Sequence, residues 1–220
     1  MIYTYGDKPL RDFKTNIAHY SDGNWFFSTK ADGWRTRIVR DKSQRIISPF
    51  GQSSWARGRD KSLFFLSSRD MKKGGPTQIP VSEEIVKSVE ALDLADLSLL
   101  DTEWMARRTI GECLEKLFVI DVAVLADKSF ADETYYQRKN IREELLVGKL
   151  TSCLDALEET SVNLQEFYDK MTTIPWTEGM VGKHKNSKLK ASSFTSVDNP
   201  LWVKIKWRDG SSGRDTYQSI

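Results

Sequence analysis

Lys30-Ala31-Asp32-Gly33-Trp34-Arg35 interrupts two β-prone stretches, Trp25-Phe26-Phe27 before it and Thr36-Arg37-Ile38-Val39 after it. Aromatic and β-branched residues favour strands, and Asp-Gly between two such runs signals a tight turn. The segment reads as one strand ending at Lys30, a turn, and a second strand. Two readings of Lys30 stand open here. One is an ordinary hairpin turn carrying a solvated lysine. In the other, the surroundings, Arg35 among them, lower the pKa until the neutral amine acts as a nucleophile.

Working outward, the first third of the chain reads mostly as strands, at 24–30, 34–40, 45–48 and 63–66, followed by a Lys/Gly/Pro loop at 72–80. Ser82 is placed to cap a helix in which Ile85, Val86, Val89 and Leu92 recur at helical spacing. Residues 99–105 and 116–125 read as buried strands, the second a nearly continuous apolar run with Asp121 inside it. A charge there needs a partner or a function. Helices are predicted over 132–150, over 152–159 and from Ser161 onward, where Leu164, Phe167, Tyr168 and Met171 share one face and read as core. The last strands are 176–182 and 201–207, separated by a Lys/Ser-rich loop at 183–199. The pattern is α+β, with antiparallel-rich sheets and helices packed outside. There is no internal repeat.

The chain has 220 residues, which suits one large domain or one domain with a small appendage, and its seven Trp and ten Phe supply ample core. The net charge of +2 is nearly balanced, but 171–190 and 202–208 are lysine-rich whereas 82–103 is acidic. Cys113 and Cys153 have no metal-type spacing and are too few for a disulfide framework, which points to a reducing cytoplasm. His19 and His184 are isolated, which argues against a His-based zinc site and a Ser-His-Asp triad. There is no signal peptide and no apolar run long enough to span a bilayer.

Four further ionisable segments follow Lys30 in order: Leu100-Asp101-Thr102-Glu103, Phe118-Val119-Ile120-Asp121, Glu178-Gly179-Met180-Val181-Gly182-Lys183 and Lys204-Ile205-Lys206. Lys204 and Lys206, two apart, project from one face of a strand, and strand lysines on one face suit a phosphate-lined cleft. Any one of these segments is a weak signal. The ordered set of five, across most of the chain, resembles the covalent nucleotidyltransferase superfamily of ATP-dependent DNA ligases, RNA ligases and mRNA capping enzymes, and the Asp32 and Arg35 pattern is closest to DNA ligases.

The resemblance implies an ATP-grasp-like ligase nucleotidyltransferase domain over residues 1–207, with the nucleotide cleft between its sheets. It implies an ATP-dependent polynucleotide ligase that seals 5′-phosphate/3′-hydroxyl nicks, using ATP with Mg²⁺ or Mn²⁺. Lys30 is the implied catalytic nucleophile. Thr29, Asp32, Gly33, Arg35, Glu103, Phe118, Met180, Lys183, Lys204 and Lys206 are the implied ATP/AMP-binding set. Glu103 and Glu178 are implied metal ligands, and Phe118, Met180 and Val181 are candidates to contact the purine. Lys185, Lys188 and Lys190 form a stripe suited to the backbone of nicked duplex DNA, with RNA as the alternative, and Arg69, Lys72 and Lys73 offer a second patch.

Three departures from the family pattern stand out. Ser28 occupies the place of a base-contacting glutamate. Ser48-Pro49-Phe50 replaces a serine-arginine pair, leaving Arg45, Arg57 and Arg59 as substitutes. After Lys206 only a short polar tail, 208–220, remains, with no OB-fold domain. This is a minimal core, a core cut at the domain boundary, or one whose OB-like lid comes from a separate protein. The compact size fits a virus or phage, with the host cytoplasm as its location. Alternative readings are an RNA ligase, a capping guanylyltransferase and a catalytically idle nick-binding module.

Overall fold

The structure, a computed structural model, describes residues 8–11, 17–43, 55–67, 77–106, 115–190 and 198–207. The segments at 45–48 and 72–76, the arginine and lysine patch at 69–73, Arg45, Cys113 and the tail at 208–220 lie outside these residues. The architecture is α+β, as the sequence predicts. In chain order come β1 (Lys8–Arg11), a 3-10 turn (Ile17–Tyr20), β2 (Trp25–Ala31), β3 (Trp34–Arg40), β4 (Leu63–Ser67), β5 (Thr77–Gln78) and α1 (Glu83–Glu90). They are followed by β6 (Ser98–Met105), β7 (Lys116–Leu125), β8 (Lys128–Ser129), α2 (Tyr135–Leu146), β9 (Leu154–Ala156) and β10 (Glu159–Thr160). The last elements are α3 (Leu164–Thr172), β11 (Thr177–His184) and β12 (Asp198–Lys206).

The strands form two sheets. The first has the order β1-β12-β11-β2-β10. The second has the order β5-β4-β3-β6-β7-β8, with β9 paired in parallel to β7. Consecutive strands β2 and β3 therefore lie in different sheets, so the Asp32-Gly33 turn is not a hairpin. It carries the chain from one sheet to the other. Gly33 is needed for the close approach of this crossover to β6. A Cβ there would come within 2.8 Å of the Trp104 carbonyl oxygen and 2.7 Å of Met105 Sδ.

Apolar faces explain the layering. One face of the second sheet (Ile38, Leu100, Leu117, Val119, Val122) packs under α1, where Ile85, Val86 and Val89 are buried. Ser82 caps α1 by accepting a hydrogen bond from the Ile85 amide, and Thr134 and Gln137 form a capping box on α2. The outer face of the first sheet (Phe27, Met180, Val203, Ile205) buries Leu164, Phe167, Tyr168 and Met171 of α3, the stripe read from the sequence as core.

The predicted helix over 152–159 is instead β9 and β10. Leu154 is fully buried beside β7, and the Leu117 amide bonds the Cys153 carbonyl, so edge pairing with β7 takes up backbone groups that a helix would have satisfied internally. Cys153 is disulfide-bonded, whereas the low cysteine count points to free thiols. No helix among the described residues is long and apolar enough to cross a membrane.

Candidate active site

The inner faces of the two sheets oppose each other, and strand periodicity decides which side chains meet there. On β2, Ser28 and Lys30 face inward. Thr29 faces α3, where it is buried and its hydroxyl contacts Met171 Sδ. On β12, Trp202, Lys204 and Lys206 face inward, while Val203 and Ile205 belong to the α3 core. Gly179 of β11 pairs with both Lys30 and Lys206, so the two lysines face each other across a residue without a side chain.

A bulge at Glu178 shifts the register between Thr177 and Gly179 and reverses the phase of β11. As a result Glu178 points inward, and so do Val181 and Lys183. Met180, two residues after Glu178, is turned into the α3 core and is fully buried. Thr29 and Met180 thus lie on the wrong face of the sheet for the nucleotide contacts expected of them. Val181, paired with Ser28 and Lys204, is the β11 residue that faces the cleft.

Glu178 is the centre of the charged group. One of its carboxylate oxygens pairs with Lys30 Nζ, and the other accepts from Lys206 Nζ at 2.9 Å. Burial lowers the pKa of Lys30. Glu103 and Asp32 pull it back up while Lys206 and Lys204 push it further down, and the balance falls at about 8. The Asp32 amide bonds the Trp176 carbonyl at 3.0 Å and ties the crossover to the entry of β11.

Across the cleft, Arg35 Nε donates to both Asp101 oxygens at 3.0 and 3.1 Å. Burial opposes the charge of Arg35, but Asp101 and Glu103 outweigh it and raise the pKa. Glu103 pairs in register with Arg35 on one side and Phe118 on the other. Lys30, Arg35, Glu103, Glu178, Lys204 and Lys206 are therefore brought to one cleft. Two carboxylates from opposite sheets fit a hard cation that takes most of its ligands from phosphate and water. Among the described residues there is no group of three or more acidic, His or Cys side chains that would hold a metal alone.

Phe118 does not offer a clear ring to a base. It is buried, with Trp176 stacked on it at 5.3 Å between centroids and 18° between planes, and Lys116 Nζ lies 5.3 Å from its centroid. Trp176, partly exposed and two residues before Glu178, was not predicted. Its only sequence signal is that spacing.

Lys183 lies deeper than the site expected of it. Its Nζ is 3.2 Å from Asp121 Oδ2 and stands 4.5 Å from the Tyr135 ring centroid and 4.4 Å from that of Trp202. Asp121 also accepts from Arg138 Nε at 3.0 Å and Arg138 Nη2 at 3.3 Å. Burial acts to raise the Asp121 pKa, but Arg138 and Lys183 outweigh it and hold the carboxyl well below its usual range. Burial lowers the pKa of Lys183. Beside this group, Glu159 accepts from Tyr135 Oη at 2.9 Å and Arg142 Nη2 at 2.7 Å. Asp121, which the sequence marks as a buried charge in need of a partner or a function, is thus an anchor between two cations.

Beyond β11, the run from Lys185 to Lys190 is held in place. The Lys185 amide bonds the Asn24 carbonyl, the Leu189 amide bonds the Ala131 carbonyl, and Lys190 Nζ bonds the Asp198 carbonyl at 2.7 Å. Lys188 and Lys190 are exposed and Lys185 is half-buried. Arg57 and Arg59 are near α1: Arg57 pairs with Glu83, and the Arg59 backbone amide bonds Glu90.

No family model matches the sequence, and no curated protein matches it. Solved structures do match the fold. The ligase domain of LigD from M. tuberculosis superposes with a TM-score of 0.60 at 17% identity, over 92% of this chain and 59% of that one. Mycobacterial DNA ligase D complexed with ATP and MES gives 0.62 at 16% identity, over 92% and 61%. Chlorella virus DNA ligase-adenylate gives 0.50 at 13% identity, over 92% and 70%. The chain spans about three fifths of the length of the two mycobacterial chains. Its fold is that of DNA ligase adenylation domains.

Proposed function

We propose that this chain, sharing the fold of DNA ligase adenylation domains, is an ATP-dependent polynucleotide ligase that works through a lysyl-AMP intermediate. The observation that carries the reading is the meeting of Lys30, Glu178 and Lys206 at the cleft face, opposite Arg35 and Glu103. A lysine with a pKa near 8 keeps an appreciable neutral fraction at physiological pH. Lys30 Nζ attacks the α-phosphorus of ATP. The N–P bond forms, the bond to the bridging oxygen breaks, and pyrophosphate leaves as the amine gives up its proton. The adenylyl group then passes to the 5′-phosphate at a nick, and the 3′-hydroxyl displaces AMP.

The residues divide this work by charge. Lys204, Lys206 and Arg35 offset charge developing on the α-phosphate, while Glu178 holds Lys30 and Lys206 in line. Glu103 and Glu178 are the groups that would bind Mg²⁺ or Mn²⁺, which supplies Lewis-acid charge at the phosphates. Lys185, Lys188 and Lys190 form a cationic edge for the duplex backbone. Incubation with ATP labelled at the α-phosphate and Mg²⁺ is expected to label the protein covalently, and Lys30→Ala is expected to remove the label. Labelling that survives this substitution overturns the reading. A nicked duplex with DNA or RNA strands then identifies the substrate.

A further inference from the structure

Trp202 is among the largest fully buried side chains, yet it belongs to neither of the main helix-packed cores. It projects from β12 toward the opposite sheet and meets two cations. Lys183, its direct cross-strand neighbour, places Nζ 4.4 Å from the ring centroid, and Arg35 of the second sheet places Cζ at 5.9 Å. The indole is itself held. Its Nε1–H donates to Ser187 Oγ at 3.0 Å, and the Ser187 carbonyl accepts from Arg138 Nη1 at 3.3 Å, so the ring is tied to the buried Asp121–Arg138 pair.

Arg35 meets Asp101 through both Nε and Nη2, a forked pair in the plane of the guanidinium. In-plane bonds leave motion out of that plane to be limited by what lies against the face, and an aromatic ring there limits it and adds a cation–π attraction. The period of two on β12 puts Trp202 on the same face as Lys204 and Lys206, so one strand carries the ring beside Arg35 and two further cations of the cleft.

We propose that Trp202 is a positioning residue. It fixes the Arg35 guanidinium at the cleft face and, through it, the capture of nucleotide phosphate. The second clause rests on the adenylation reading above. Ordering paid for in the fold is not paid again on binding, so loss of the ring should weaken capture more than it slows chemistry.

The test compares Trp202→Leu, which keeps apolar bulk, with Trp202→Phe, which keeps an aromatic face, and with Ser187→Ala, which removes only the indole acceptor. Trp202→Leu is expected to raise the ATP concentration for half-maximal Lys30 labelling about tenfold, with the maximal rate within about threefold. Trp202→Phe and Ser187→Ala should each stay within about threefold of the unsubstituted protein. On an Arg35→Ala background, Trp202→Leu should add nothing, because its effect travels through Arg35. Additive losses on that background overturn the proposal, as does a Trp202→Phe protein impaired as much as Trp202→Leu.

A second readout is independent of catalysis. The Arg35 Nε–H resonance, assigned by its disappearance in Arg35→Lys, should be shifted by the indole ring current and move in Trp202→Leu. An unmoved resonance overturns the hold on Arg35 even if labelling falls. If the unsubstituted protein is never labelled, the adenylation reading fails, and the resonance alone decides whether Trp202 positions Arg35.

Discussion

Two regions of the same pair of sheets have the same pattern of charge, one carboxylate between two cations, and opposite characters. At the crossover end, one carboxylate, Glu178, lies between two cations, Lys30 and Lys206. Five residues further along β11, Lys183 and Arg138 flank one carboxylate, Asp121. In the first group each lysine side chain keeps 22% of its surface in solvent, whereas in the second no side chain exceeds 2%. Exposure separates their roles. A partly hydrated pair can exchange partners with an incoming anion, because neither charge is stranded when the contact opens. A dry pair cannot, because each charge depends on the other for its solvation. The cleft is mobile chemistry on one end and a fixed anchor on the other.

The largest expected contrast comes from removing one member of each group. Lys30→Ala should abolish covalent labelling and change unfolding free energy by no more than about 1 kcal/mol, measured by urea titration. Asp121→Ala should do the reverse. It leaves Arg138 and Lys183 facing each other in a dry site and should cost about 3–5 kcal/mol of stability. A labelling-dead but fully stable Asp121→Ala protein would erase the distinction.

The pH dependence sharpens it further. Lys30 has a folded pKa below its ordinary value, so its reactive neutral form is lost as pH falls. Below about 8, the labelling rate should drop about tenfold per pH unit and level off above it. Lys206→Met removes a cation that depresses this pKa, so the break should move to higher pH. A pH profile that is flat between 6 and roughly 9 would break the link between burial and nucleophilicity. The smallest effect is expected from Lys183→Met, which removes a buried cation but leaves Asp121 its bonds to Arg138. Stability should fall by about 1–2 kcal/mol, with labelling within about threefold of the starting protein.

Parts of this site are legible in the sequence for a simple reason. Lys204 and Lys206 share a face because strands alternate, and the pairing of β12 with β11 runs in regular register from Trp202 to Lys206. The same alternation separates Thr29 from Lys30 and so places Thr29 outside the cleft. Met180 fails for a different reason. Its parity with Glu178 predicts the cleft face, but the bulge at Glu178 reverses the phase, and no residue in the segment announces that. The buried group was half visible. Asp121 within an apolar run demands a partner, but Arg138 sits on a polar-looking helix and the family resemblance assigns Lys183 to the nucleotide. Residues 152–159 could be read as a helix because short apolar segments have no decisive period, and their docking on the edge of β7 is a tertiary event.

By itself, the sequence determined the α+β class, the amphipathic stripes of α1 and α3, and the order of charged segments that identifies Lys30 as the candidate nucleophile. These follow from local periodicity, turn chemistry and spacing. Tertiary structure alone decided that the Asp32-Gly33 turn crosses between sheets rather than closing a hairpin. It also decided which of two similar charge clusters stays wet, and that Trp202 meets Arg35. Turn residues specify that a chain reverses or bends, but strand pairing and burial depend on what each face packs against. Those partners can lie as far along the chain as Trp202 does from Arg35.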